Sequence, residues 1–187
     1  PWYFYFLVVL LGFIPWSIYV PWAIARLGLW RRSRWQKTPR HTHLGLFAAT
    51  WFLVIYVFFT IATTKLPSYT IPLLPAASIL VGLAWSDHLT RPKMPQGLRI
   101  SHAINLFFLG LLAGAVWYSD NWLGDDPVMP NFAELVAQSG ILVWGSIGWG
   151  LGAIATLILI RKKQTQWIWG TNLIAFTLFL SLTLLPA

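Results

Sequence analysis

The residues best equipped for chemistry are Lys65, Ser68 and Tyr69, in the string Lys65-Leu66-Pro67-Ser68-Tyr69 between two long apolar runs. A lysine in an apolar segment costs ~3 kcal/mol on insertion scales, less near the membrane edge where its stem can snorkel. Pro67 lacks a backbone N–H and biases Leu66 away from helix, so the preceding helix ends here. Pro72 suits the first turn of the next helix. A helix that starts here presents unpaired N–H groups and a partial positive charge. Lys65 adds a full cation beside it, and Ser68 and Tyr69 add neutral donors. Together they form a receptor for an anion at headgroup depth, and phosphate uses that many donors better than carboxylate does. The competing reading of the same residues is a snorkelling lysine and an aromatic interfacial anchor.

Other groupings carry less chemistry. Asp120, Asp125, Asp126 and Glu134 could attract a divalent cation, but their spacing fits no ion-binding loop, and Asp125-Asp126-Pro127 reads as a solvated turn. His41-Thr42-His43 offers two ligands without a third, and His88 and His102 read as interfacial polar residues, so no metal site is expected. With no cysteine there is neither a thiolate site nor a cysteine nucleophile. No phosphate-cradling glycine loop is present, and no cofactor is expected. Gly110/Gly114 and Gly148/Gly152 are pairs one helical turn apart that permit close helix approach in lipid.

The elements that must position Lys65 and Tyr69 follow from composition. Hydrophobic residues make up 57% of the 187 residues and charged residues 10%, with a mean hydropathy of +0.65. A soluble domain carries about 25% charge. Disordered chains, disulfide scaffolds and cytosolic enzymes are excluded, and an all-α integral membrane bundle is predicted. A span needs about 20 mostly apolar residues. Six stretches qualify, approximately 3–25, 45–64, 71–87, 103–119, 138–160 and 168–185, as one transmembrane domain over 1–187. The net charge of +8 does not point to nucleic acid, because the basic residues cluster between apolar runs. Twelve of the 13 Lys and Arg residues fall in three loops on one side: Arg26 to Arg40, Arg91 to Arg99 and Arg161 to Lys163. That side is cytoplasmic by the positive-inside rule, so both ends face outward. Four of the five acidic residues lie in one loop on the opposite face. Lys65 is the single basic residue on the outer side.

The string Thr63-Thr64-Lys65-Leu66-Pro67-Ser68-Tyr69, followed by Ile71-Pro72-Leu73-Leu74-Pro75-Ala76, resembles the S-x-x-K-L-P-x-Y-x-x-P-x-x-P turn of bacterial polyprenyl-phosphate-dependent glycosyltransferases. These are the aminoarabinose-transferase and protein-mannosyltransferase-like enzymes of the GT-C fold. The opening Pro1-Trp2-Tyr3-Phe4-Tyr5 with Leu11-Gly12-Phe13-Ile14-Pro15-Trp16 is similar to the span before that turn, so the resemblance covers residues 1–90. It implies a chain that forms part of a larger GT-C-like fold in the plasma (inner) membrane. A sugar would pass from a polyprenyl-phosphate donor to a lipid or protein acceptor on the outer face. Lys65 and Tyr69 are then the donor-phosphate contacts. The family's general-base Asp is expected upstream, in a missing N-terminal half, so no catalytic residue is expected in this chain and no transfer by it alone. A first residue that is Pro, not Met, is in keeping with a piece of a longer protein. The alternatives are a small non-catalytic membrane subunit, or a lipid-phosphate transporter, which would share the anion site without the chemistry.

Overall fold

The computed structural model describes residues 3–31, 43–90, 93–121 and 131–183, which are helical with no strand. Pro1, Trp2, Arg32, Arg34, Lys37, Arg40, His41, Arg91, Asp125 and Asp126 lie outside the described residues. Two compact units divide the chain, Pro1–Ser101 and His102–Ala187.

In the first unit, the apolar run at 3–25 forms two helices rather than one. Helix α1 (Phe4–Gly12) is followed by a 3₁₀ turn (Trp16–Tyr19) and α2 (Val20–Ala25), with a bend of 116° between the halves. Pro15 explains the break: it donates no hydrogen bond and disfavours helix at Ile14. Ser17 Oγ donates to the Leu10 carbonyl at 2.8 Å, satisfying an acceptor beside the break. Helix α3 (Leu44–Ile61) leads through a 3₁₀ turn (Pro67–Thr70) to α4 (Leu73–Thr90). Buried Leu73, Ala76, Ala77, Leu80, Val81 and Ala84 recur every three or four residues, which places them on one face of α4. They meet a matching face of α3 built from Gly45, Ala48, Ala49 and Phe52. Alanines at this seam let the helix backbones approach, which is how helices gain contact in lipid. The opposite side of α3 stays apolar and open, with Phe58 64% and Ile61 77% exposed, as a lipid-facing surface should be.

The bent pair is tied to both ends of α4. The Leu66 N–H, just before α4, donates to Tyr5 Oη at 3.3 Å. At the far end, Arg26 after α2 forms an ion pair with Asp87. The two halves therefore both lie alongside α4.

Helix α5 (Gln96–Trp117) begins beyond Pro95, earlier than the expected 103, because its first two turns are polar. From His102 onward it belongs to the second unit, with α6 (Phe132–Gln138), α7 (Ile141–Arg161) and α8 (Ile168–Thr183). Gly140, at φ +75°, adopts the left-handed conformation open to glycine and separates α6 from α7. Gly145, Gly148, Gly152 and Thr156 are buried on one face of α7. Of the two glycine pairs, only Gly148/Gly152 serves packing here, against α8. Gly110 and Gly114 have nothing within 4 Å of where a Cβ would stand.

Among the described residues four stretches are long and apolar enough to cross a membrane: α3, Pro67–Thr90, α5 and α7. The bent pair adds a fifth where its two halves are counted as one broken span. The sixth expected span, 168–185, corresponds to α8, whose 16 residues cover ~24 Å at 1.5 Å each, short of a full hydrocarbon core. The chain is thus an all-α integral membrane protein.

A polar clasp holds the second unit. Asn105 on α5 and Asn172 on α8, both 0% exposed, exchange carboxamide hydrogen bonds at 3.0 and 3.5 Å. Either carboxamide alone would be stranded in an apolar interior. Asn105→Leu or Asn172→Leu should each lower unfolding free energy by about 1–2 kcal/mol. The double leucine variant should recover part of that loss, as measured by equilibrium unfolding in mixed detergent micelles.

Candidate functional site

The turn at Lys65 is assembled from three elements. Helix α3 ends at Ile61, Leu66 is extended (φ −123°, ψ 134°), and Pro67 opens the 3₁₀ turn. Thr70 Oγ1 donates to the Pro67 carbonyl at 2.8 Å and locks that turn. Lys65 does not project into solvent. Its ammonium folds back onto the last turn of α3 and donates to the carbonyls of Phe59 (2.9 Å) and Thr60 (2.6 Å). Those carbonyls lie at the negative end of the helix, where a cation is favoured. The ammonium also stands 5.2 Å from the ring centroid of Tyr5, which is 1% exposed. An ammonium has three donors, so two carbonyl bonds leave one.

Tyr69 converges on the same turn of α3. Its ring stacks on Phe59 with centroids 4.7 Å apart and planes inclined by 26°. Its hydroxyl forms no hydrogen bond among the described residues. The Tyr69 and Ile71 N–H groups bond to the Leu66 (3.2 Å) and Ser68 (3.1 Å) carbonyls, so they are spent within the turn. Ser68 is exposed. Lys65 and Tyr69 are therefore brought together through Phe59: one residue lends its carbonyl to the ammonium and its ring to the phenol.

Between the bent pair and α3 is an apolar cavity of about 140 Å³, lined by residues including Phe6, Val9, Val20, Pro21, Phe52 and Tyr56. Tyr56 and Phe52 lie about one and two helical turns below Phe59 on α3. The bend in the first span makes this space, since a straight helix would not fold around α3.

The remaining candidates are scattered. Asp120 accepts from Asn121 (2.6 Å) and Glu134 from Gln138 (3.1 Å), each a local exposed bond. His88 packs edge-on against Trp85, and His102, read from sequence as interfacial, is 1% exposed inside its unit. Among the described residues no three His, Asp or Glu side chains gather as a metal site would need. The Arg26–Asp87 pair was missed by sequence reasoning. Its signal was Asp87, the one acidic residue outside the long acidic loop and the end of the third expected span. Arg26 also lies 5.9 Å from the Trp22 ring, which explains how a mostly buried guanidinium is accommodated.

No protein-family model and no solved structure matches the chain. Curated proteins do. The chain is 30% identical over 175 residues to undecaprenyl phosphate-alpha-4-amino-4-deoxy-L-arabinose arabinosyl transferase 2 of Proteus mirabilis, covering 92% of this chain and 28% of that protein. It is 30% identical over 186 residues to the arabinosyl transferase of Pectobacterium atrosepticum, covering 97% and 30%. A second such transferase of Pseudomonas fluorescens is 32% identical over 170 residues, covering 86% and 29%. The chain is homologous to the aminoarabinose transferases. The resemblance read from the Lys65 turn is borne out, and the similarity runs well past residue 90, where only hydropathy had been expected to match. The chain spans less than a third of the length of these aminoarabinose transferases.

Proposed function

We propose that this chain holds the donor phosphate in a membrane glycosyltransferase, one that moves a sugar from a polyprenyl-phosphate carrier to a lipid or protein acceptor at the outer face of the plasma (inner) membrane. The observation that carries the reading is the Lys65 ammonium, anchored by two helix-end carbonyls with one donor to spare, on the same turn of α3 whose Phe59 ring stacks on Tyr69. The names of the homologous transferases, each specifying an undecaprenyl phosphate-linked sugar, support it.

In such a transfer an acceptor oxygen attacks the anomeric carbon and the bond to the phosphate oxygen breaks. Negative charge builds on the departing polyprenyl phosphate. An ammonium already fixed in place stabilises that charge without reorganising as the bond breaks. Tyr69 adds a neutral hydrogen bond to the same phosphate. The acceptor's proton goes to a general base supplied from outside these residues. The apolar cavity between the bent pair and α3, lined by Phe6, Val9, Phe52 and Tyr56, suits part of an isoprenoid chain.

The test is binding of undecaprenyl phosphate to the chain in phosphatidylcholine nanodiscs, read by native mass spectrometry. Saturable binding that inorganic phosphate weakens is expected. Tyr69→Phe should reduce affinity about 3- to 10-fold, the loss of one neutral hydrogen bond. No binding, or binding that neutralisation of Lys65 leaves unchanged, overturns the reading.

A further inference from the structure

The Tyr5 side chain does two things at once at the Lys65 turn, and neither follows from its place in an apolar helix. Its hydroxyl accepts the Leu66 N–H at 3.3 Å, and its ring stands 5.2 Å from the Lys65 ammonium. Leu66 is extended and precedes a proline, so its N–H is outside any helical ladder and needs a partner from elsewhere. Tyr5 supplies it from α1, 61 residues away. The backbone at 66 and the side chain at 65 are thus fixed by one residue. Tyr5 is also braced, with Phe4 edge-on at 5.0 Å and Phe59 tilted at 6.2 Å.

We infer that Tyr5 is a positioning residue for the phosphate site, holding the Lys65 ammonium over its ring and the Leu66 backbone by its hydroxyl, so that the remaining Lys65 donor is presented to the anion. This rests on the function proposed above. Lysine stems carry large rotamer freedom, and an anion that must first order one loses affinity. The two carbonyls of α3 restrict the ammonium from one direction. The electron-rich ring face restricts it from another. The ring attracts the cation without being an anion, so it leaves the positive charge unneutralised for an incoming phosphate. A carboxylate in the same place would compete with the ligand.

A role exerted through Lys65 predicts a coupling that simple packing does not. Undecaprenyl phosphate binding in nanodiscs is measured for the wild type, Tyr5→Leu, Lys65→Gln and the double variant, with thermal unfolding of each alongside. Tyr5→Leu should weaken binding about 10-fold when Lys65 is present and less than about 2-fold when Gln replaces it. The drop in unfolding temperature caused by Tyr5→Leu should be slightly larger with Lys65 present, since the ring–ammonium attraction is then lost as well. Tyr5→Phe keeps the ring and loses the hydroxyl, so it should weaken binding about 3-fold, again only with Lys65 present. That variant carries the test if Tyr5→Leu does not fold. Equal losses in both backgrounds, or no loss from either Tyr5 variant while Lys65→Gln binds poorly, overturn the role of Tyr5 and leave the phosphate site standing. Unchanged affinity in Lys65→Gln removes the phosphate site, and the role of Tyr5 with it.

Discussion

Lys65→Gln should lower affinity for a polyprenyl phosphate by about 10- to 100-fold, the weight of a charge-assisted hydrogen bond of about 1.5–3 kcal/mol. Glutamine is the informative replacement. Its amide can still donate to the Phe59 and Thr60 carbonyls and keep part of the helix cap, while the charge is gone. Lys65→Ala removes both and so adds a stability cost of about 0.3–1 kcal/mol at the end of α3. Lys65→Arg keeps the charge, but a planar guanidinium cannot sit as a compact point between two carbonyls and the Tyr5 ring, so it should restore binding only in part. Affinity ordered Lys, then Arg, then Gln and Ala is the expected outcome, measured in nanodiscs at fixed ionic strength. Because the proposed contact is electrostatic, the gap between Lys and Gln should narrow as salt is raised.

A large loss of stability is expected at Gly152. A Cβ there would stand 2.7 Å from the Ala175 Cβ, closer than real Cβ atoms come. Neither atom is the end of a flexible chain, so α7 and α8 themselves must separate. Gly152→Leu should cost about 3 kcal/mol or more, at or beyond the upper end of overpacking. Separation would also disturb Trp149, 2% exposed and 5.2 Å from Phe179, and the Thr156–Thr171 contact at 3.4 Å. Gly152→Ala alone should be harmful as well. Combining it with Ala175→Gly moves the methyl from one helix to the other and should return most of the stability. Gly110→Ala and Gly114→Ala serve as controls: nothing lies within 4 Å of either, so neither should lose stability, and alanine's helix propensity should raise it by about 0.5–1 kcal/mol.

The Lys65 turn was legible in the sequence because its causes are local. A charge among apolar residues and prolines at 67 and 72 mark a helix end and a helix start without reference to the rest of the chain. Where the ammonium would go was not legible, since the Phe59 and Thr60 carbonyls and the Tyr5 ring become neighbours only after α3 ends and α1 packs beside it. The elbow in the first span was hidden for a different reason. Hydropathy over 3–25 is continuous and carries no direction, so Pro15 had to be weighed as a break within an unbroken apolar run. The asparagine clasp depends on which faces of α5 and α8 meet, 67 residues apart. Two asparagines inside apolar stretches were its only trace. The glycine pairs show the limit of motif reading: two identical spacings were equally visible, yet one closes a helix seam and the other looks into open space.

The paired tethers on α4 have a mechanical consequence. Tyr5 grips the chain just before that helix and Arg26 grips it near the other end, and both links join residues 61 apart in sequence. A jointed strut bolted at both ends to one beam cannot slide along it. It can yield only at its knee, around Phe13 to Pro15. Any displacement of the Lys65 turn is thus borne by the knee, and the turn rests on a braced frame rather than on a free-standing loop.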